Sequence, residues 1–217
     1  LRMKNLLHPN STTSTGQVLG ESVGLEKCLA TVADRLRLSE APPQKGHKRG
    51  LGIAAGYHGN SLGPEGADRC GAMITVRPDG HVEYMIGLSE YGTGARFGHG
   101  QIVAEMLGLT TDRVHVRFAD TLVLPYSGPT VASRSTVMGG NAALLVSKRL
   151  RETLGKEASK ILGCSPEEMR FANNSVYSSL DKGKKLGFEQ LVTICQKKGV
   201  SLSHSEIYQG PQTDWNE

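Results

Sequence analysis

Gly71-Ala72-Met73-Ile74-Thr75-Val76-Arg77-Pro78-Asp79-Gly80-His81-Val82-Glu83-Tyr84-Met85-Ile86-Gly87-Leu88 is the stretch on which the fold turns. Side chains of an extended chain alternate between two faces, so Ala72, Ile74 and Val76 share one of them. Pro78-Asp79-Gly80 reverses the chain, and Val82, Tyr84, Ile86 and Leu88 resume the alternation. Two such runs around a turn of this composition predict a β-hairpin.

Downstream the period changes from two to about 3.6. A glycine loop at Gly92-Thr93-Gly94 leads into a helix with Ile102, Val103, Met106 and Leu107 on its apolar stripe and Gly108 as its stop. Val114, Val116 and Phe118 alternate as a third strand, and Asp120-Thr121 ends it. After a loop through Pro125 and Gly128, Ser133 to Thr136 open the longest helix. Leu150, Leu154, Ala158 and Ile161 stand at helical spacing, and Gly163 closes the helix. Ser165-Pro166-Glu167-Glu168 reads as a cap with proline at the first helical position. Residues 169–178 are expected to be one strand, and Phe188, Leu191, Val192 and Cys195 mark a last amphipathic helix ending at Gly199.

Upstream, residues 6–20 are rich in Ser, Thr, Asn and Gly and read as a loop. Val23, Cys28, Leu29, Val32 and Leu36 then mark a helix, and residues 38–49, with Pro42 and Pro43, a connector. Residues 49–57 are expected to form a strand of small residues, followed by a Gly-rich loop over 58–66. Elements that alternate irregularly, with one hairpin among them, imply an α+β fold in which a mixed sheet with a β-hairpin packs against several helices. The expected division is an N-terminal loop, helix and connector over 1–48 and an α+β domain over 49–217.

Composition narrows the function. The chain has 217 residues, a net charge of +4 and 38% hydrophobic residues, with no long apolar run, which describes a globular protein without a membrane span. Lys184-Lys185 and Lys197-Lys198 are its only notable basic pairs near the C-terminus, too little for a nucleic-acid surface. Cys28, Cys70, Cys164 and Cys195 form no CxxC, which argues against a zinc or iron–sulfur cage and fits a reducing cytoplasm. The start, Leu1-Arg2-Met3-Lys4-Asn5, is neither an initiator Met nor a signal sequence, so a fragment of a longer polypeptide is expected.

Two short stretches stand where helices begin: Gly92-Thr93-Gly94 and Gly128-Pro129-Thr130-Val131-Ala132-Ser133-Arg134-Ser135-Thr136. The first turn of a helix leaves about four N–H groups unpaired at the positive end of its dipole. Both stretches therefore read as seats for a phosphate-bearing or otherwise anionic ligand. The glycines also suit a plain tight turn, and the hydroxyls suit ordinary helix caps. Arg134 reads equally as a surface side chain and as a partner for pyrophosphate oxygens, Asp120 as a turn-former rather than a base, and His99 as structural or exposed. Phe97 stands where a dinucleotide fingerprint needs its third Gly or Ala, and no Walker A loop occurs.

Taken in order, Gly92-x-Gly94, Gln101-Ile102-x-Ala104-Glu105-x-Leu107-Gly108, Val114-x-Val116, Asp120-Thr121 and Gly128-x-Thr130-x-Ala132-Ser133-Arg134-Ser135-Thr136 resemble the large subunit of the molybdenum hydroxylases, the xanthine dehydrogenase and aldehyde oxidase family. Arg2-x-Lys4-Asn5 and the segment from Gly16-Gln17 to Leu36 extend the likeness towards the N-terminus. The resemblance implies a molybdenum–molybdopterin cofactor, in its cytosine dinucleotide form, held by Gly92, Thr93, Gly94, Val131, Ala132, Ser133, Arg134, Ser135 and Thr136. It implies oxidative hydroxylation of a purine, another N-heterocycle or an aldehyde with water as oxygen source. Iron–sulfur clusters and FAD would lie on other domains or subunits, and the rest of the large subunit would be the main partner, with a homodimer as a further assembly. Thr93 departs from the family pattern, where a glutamine commonly stands between the glycines. The family's glutamate base has no counterpart in this chain, so no catalytic residue and no protein ligand to a metal is expected here. The chain would be inactive alone; the alternative is a non-catalytic cofactor-binding or assembly module derived from the same family.

Overall fold

The structure is a computed structural model that describes all residues except 39–44, 49, 64–66, 119 and 212–217. Most of the expected connector and the end of the 58–66 loop lie outside the described residues. The chain divides into two compact units, Leu1–Gly59 and Asn60–Gln212.

In the first unit, residues 6–20 form the expected loop, pinched by a single bridge between Thr12 and Val18. Helix α1, Leu25–Leu38, follows. Of its apolar stripe Leu29 is buried, while Cys28 and Val32 are exposed. Residues 50–57 form no strand, which corrects the expectation there: no other described segment pairs with them. Tyr57 instead reaches back, its hydroxyl accepting the Leu7 N–H at 3.1 Å.

The second unit is built on the hairpin. Strands β1 (Arg69–Val76) and β2 (Val82–Ile86) pair antiparallel, with Ala72 opposite Ile86 and Val76 opposite Val82. Helix α2 (Ala95–Leu107) then crosses over to β3 (Val114–Phe118), which lies parallel to β2; a parallel pair requires such a crossover. At the end of α2, Gly108 has φ +64°, and its N–H bonds the carbonyls of Ala104 and Glu105. A Cβ there would stand 2.2 Å from the Phe171 carbonyl carbon, so the position admits only glycine.

A π-turn over Ser135–Gly139 leads into the 23-residue helix α3 (Gly140–Leu162), capped by Gly163. Residues 169–178 are two strands rather than the one expected: β4 (Met169–Ala172) and β5 (Ser175–Ser178) join through Asn173-Asn174, both left-handed at φ +51° and +54°. Asn tolerates that conformation better than other side-chain-bearing residues, which makes this a tight hairpin turn. Strand β6 (Lys185–Gly187) completes a three-stranded sheet in the order β4-β5-β6. Helix α4 (Phe188–Lys197) follows, and β7 (Ser203–Gln209) returns to pair with β1, giving the larger sheet the order β3-β2-β1-β7.

One apolar core joins these layers. Ile74, Val82, Tyr84 and Ile86 pack with Val103 and Leu107 of α2, with Val146, Leu150 and Leu154 of α3, and with Leu191 and Cys195 of α4. Burying each large side chain contributes about 1.5–3 kcal/mol. The α+β architecture, a mixed sheet with a hairpin against several helices, is the one expected. Among the described residues no helix is long and apolar enough to cross a membrane.

Candidate functional site

Chain reversal beyond β2 sets up the first loop. Gly92 has φ +101° and Gly94 φ +77°, conformations that side-chain-bearing residues rarely adopt. These turns aim several amides at one point, and the point is filled by the chain itself. Glu90 Oε1 accepts the N–H groups of Gly92 (2.8 Å), Thr93 (2.7 Å) and Gly94 (3.2 Å), and Oε2 accepts that of Arg96 (2.9 Å). The Thr93 hydroxyl donates to the same Oε1 at 3.1 Å. Hydrogen bonds from the Arg96 backbone foremost, then from Gly92 and Thr93, hold the Glu90 carboxyl down at about 2. The expectation that the Gly92 donors stand open to an external anion is therefore corrected: an internal carboxylate already holds the amides of Gly92, Thr93, Gly94 and Arg96.

The second loop is different. Ala132 and Ser133 both lie at positive φ, +45° and +62°, and so does Ser61 (+62°), whose N–H donates to the Ala132 carbonyl at 2.9 Å. A left-handed residue with a Cβ costs roughly 1–2 kcal/mol, and such strain gathers at functional sites. The loop closes on itself as the Arg134 N–H bonds the Val131 carbonyl (2.8 Å) and the Val137 N–H that of Ser133 (3.0 Å). Among the described residues nothing accepts from the N–H groups of Val131, Ala132 or Ser133, and the hydroxyls of Ser133, Ser135 and Thr136 have no partner. None of the three hydroxyls caps the helix, whose first turn carries no side-chain cap.

Arg134 is neither a surface side chain nor a group turned outward. It is 0% exposed, and its Nε and Nη2 donate to Asp68 Oδ1 at 2.9 and 2.7 Å. Nη2 also reaches the carbonyls of Arg69 and Ser127, both at 2.9 Å, and Nη1 that of Pro129. A guanidinium this committed has nothing to offer a pyrophosphate, which corrects that expectation for the side chain. Its part is to hold the loop from beneath, since Asp68 Oδ2 in turn accepts the Leu62 N–H at 3.1 Å.

The two loops meet. Thr130 Oγ1 accepts the Ser89 N–H at 2.7 Å, and the Tyr91 hydroxyl donates to the Thr130 carbonyl at 3.2 Å. Ser127 Oγ donates to the Gly71 carbonyl (2.7 Å) and accepts the Gly87 N–H (2.9 Å), fastening the intervening loop across the ends of β1 and β2. Below, His99 of α2 lies buried against Phe118 and Tyr84, its Nε2 2.7 Å from the Ser135 carbonyl. That contact makes Nε2 the protonated nitrogen, because a carbonyl only accepts. Burial holds the His99 imidazole below its ordinary pKa. Gly139 lies so near that a Cβ would meet His99 Cε1 at 2.7 Å. Asp120 serves as the expected turn-former, its carboxylate accepting the Leu122 N–H.

A cavity of about 810 Å³ opens beside the first loop, lined by Glu90, Gly92, Gly94, Arg96, Phe97 and Arg117 among others; no residue of 131–136 lines it. Glu90, Asp68 and Ser127 are positioning residues that sequence reasoning misses. Glu90 alone carries a local signal, a carboxylate two residues ahead of Gly92-x-Gly94.

A sequence profile described as a molybdopterin cofactor-binding domain matches residues 27–217. A probable xanthine dehydrogenase subunit of Bacillus subtilis is 29% identical over 170 residues, 78% of this chain and 23% of that protein. The aldehyde oxidoreductase of Megalodesulfovibrio gigas is 29% identical over 163 residues, 72% of this chain and 18% of that one. The chain thus spans less than a quarter of the length of these relatives. Quinoline 2-oxidoreductase from Pseudomonas putida 86 shares the fold, with a TM-score of 0.71 and 20% identity over 97% of this chain and 30% of that one. With a family match that takes in both loops and nearly the whole chain, this polypeptide belongs to the molybdopterin cofactor-binding domain family.

Proposed function

We propose that the chain supplies the 131–136 loop as the principal anchor of the cofactor in a molybdenum hydroxylase related to xanthine dehydrogenase and aldehyde oxidoreductase. The observation that carries the reading is the set of donors there that are unpartnered among the described residues: the hydroxyls of Ser133, Ser135 and Thr136 and the N–H groups of Val131, Ala132 and Ser133. A pyrophosphate, such as that of a cytosine dinucleotide extension, needs several closely approaching donors of this kind. The residues present fit that group at the second loop. At the first loop the amides of Gly92, Thr93 and Gly94 are already satisfied, so those residues contribute shape and contact rather than N–H donors.

When bound, the molybdenum–pterin group supplies the oxidising centre for hydroxylation of an aldehyde, a purine or another N-heterocycle with oxygen from water. This chain's residues would hold it. Ser133, Ser135 and Thr136 donate or accept through hydroxyls free to rotate, and buried Arg134 keeps the loop's backbone in the shape that presents them. The remainder of the large subunit, and iron–sulfur and flavin domains or subunits, would complete a cytoplasmic enzyme. Alone, the chain would lack activity and would self-associate through apolar surface that those parts otherwise cover.

Pterin and molybdenum content of the full-length complex tests the reading. Replacing Ser133 and Ser135 together by Ala removes two hydrogen bonds of about 1 kcal/mol each, and cofactor affinity should fall about thirtyfold. Full metal and pterin loading in the double variant would sink the assignment, as would an intact, active complex with no molybdenum.

A further inference from the structure

Five donors converge on a single carboxylate at the first loop: the N–H groups of Gly92, Thr93, Gly94 and Arg96 and the hydroxyl of Thr93, all on Glu90. This is how an enzyme loop grips a phosphate, with four consecutive or near-consecutive amides at the positive end of a 13-residue helix. Here the gripped anion is tethered to the loop, two residues upstream of it. An incoming phosphate would find those four amides already taken, and it would face the negative charge of Glu90 itself.

We infer that Glu90 is a specificity-determining residue: an internal anion that fills the Gly92–Arg96 donor nest and excludes phosphate from it, so that the acidic part of the cofactor is confined to the 131–136 loop. The inference rests on the reading of that second loop as the cofactor's anchor, and it adds which of two neighbouring helix starts is closed. The two loops are tied together through Thr130, so without such a plug both would compete for the same pyrophosphate. A ligand seated in two registers would hold its reactive end in two places. Thr93 strengthens the plug, because its hydroxyl points into the Glu90 cap rather than outward.

The test is a titration of the ¹⁵N-labelled chain with inorganic pyrophosphate, read at each backbone amide. In the native protein the amides of 131–136 should move while those of Gly92, Thr93, Gly94 and Arg96 stay still. In Glu90→Ala the latter amides should respond as well, with pyrophosphate affinity at that loop about tenfold tighter or more. Glu90→Gln keeps an acceptor oxygen and drops the charge; it should fall between the two, and it serves as the comparison if the alanine variant does not fold. Native Gly92–Arg96 amides that shift as strongly as those of the variants would overturn the inference. So would variants that gain no response there. Silence at 131–136 in every protein, with a gained response at Gly92–Arg96 in the variants, would instead refute the anchor role of the second loop and leave the role of Glu90 standing.

Discussion

Replacing Arg134 by Met removes a guanidinium that is 0% exposed while keeping an apolar stem of similar length. The Asp68 carboxylate, itself almost wholly buried, would retain only the Leu62 N–H among the contacts described above. The carbonyls of Arg69, Ser127 and Pro129 would each lose a donor. Breaking a buried ion pair from one side typically costs about 3–5 kcal/mol, because the surviving charge is stranded. Against a total stability of about 5–15 kcal/mol that is a large share. Urea denaturation followed by far-ultraviolet circular dichroism gives the number. The paired variant Arg134→Met with Asp68→Asn removes the stranded charge, so its cost should be at least about 1 kcal/mol less than the sum of the single changes. A loss below about 1 kcal/mol in Arg134→Met, or strict additivity in the pair, would refute the argument that this ion pair holds the loop.

Other expectations concern the frame around the loops. Because burial lowers the His99 pKa, the unfolded chain takes up this proton first as pH falls below about 6.5. The stability His99 contributes is therefore present above that pH and lost as pH falls through the folded value; His99→Gln should flatten the slope of stability between pH 7 and 5, and an unchanged slope counts against the buried neutral imidazole. Gly108→Ala should cost more than the roughly 1–2 kcal/mol of left-handed strain alone, since its Cβ meets the Phe171 backbone; a thermal midpoint within experimental error of the parent would contradict this. Ser127→Ala leaves the Gly87 N–H and the Gly71 carbonyl without this partner, and a loss of about 1–3 kcal/mol is expected by chemical denaturation. Faster hydrogen exchange confined to Gly87 and its neighbours would locate the effect, and unaltered exchange would exclude it.

Much of the fold was legible because its signals are local. Alternation from Ala72 to Leu88 marks a hairpin in any context, and Gly108 and Gly163 stop helices by a conformation that needs no partner. The misses share a different cause. Residues 50–57 alternate like a strand yet find no neighbour, and strand identity depends on one. Asn173-Asn174 splits what reads as one strand, because asparagine's tolerance of the left-handed region leaves no mark on hydrophobic period. Ser203 to Gln209 hides as a strand since its alternating half-buried positions include His204 and Glu206 rather than aliphatic residues. At the site, the hydroxyl run of the second loop was visible, but the direction of Arg134 was not: its partner stands 66 residues away. The occupancy of the Gly92 donors could be told only once Glu90 was seen folded back on them.

The π-turn at Ser135–Gly139 has a consequence for how this sequence can change over time. A widened turn carries one residue more than a regular α-helical turn over nearly the same rise, so losing one residue there would restore a regular helix and leave the chain before it facing almost the same way. A second loss would find no such slack: each residue of a regular helix is about 100° of rotation, and Ser133 would then look toward a different side of the molecule with its hydroxyl still present. The turn thus stores one residue of spare length at the mouth of the loop.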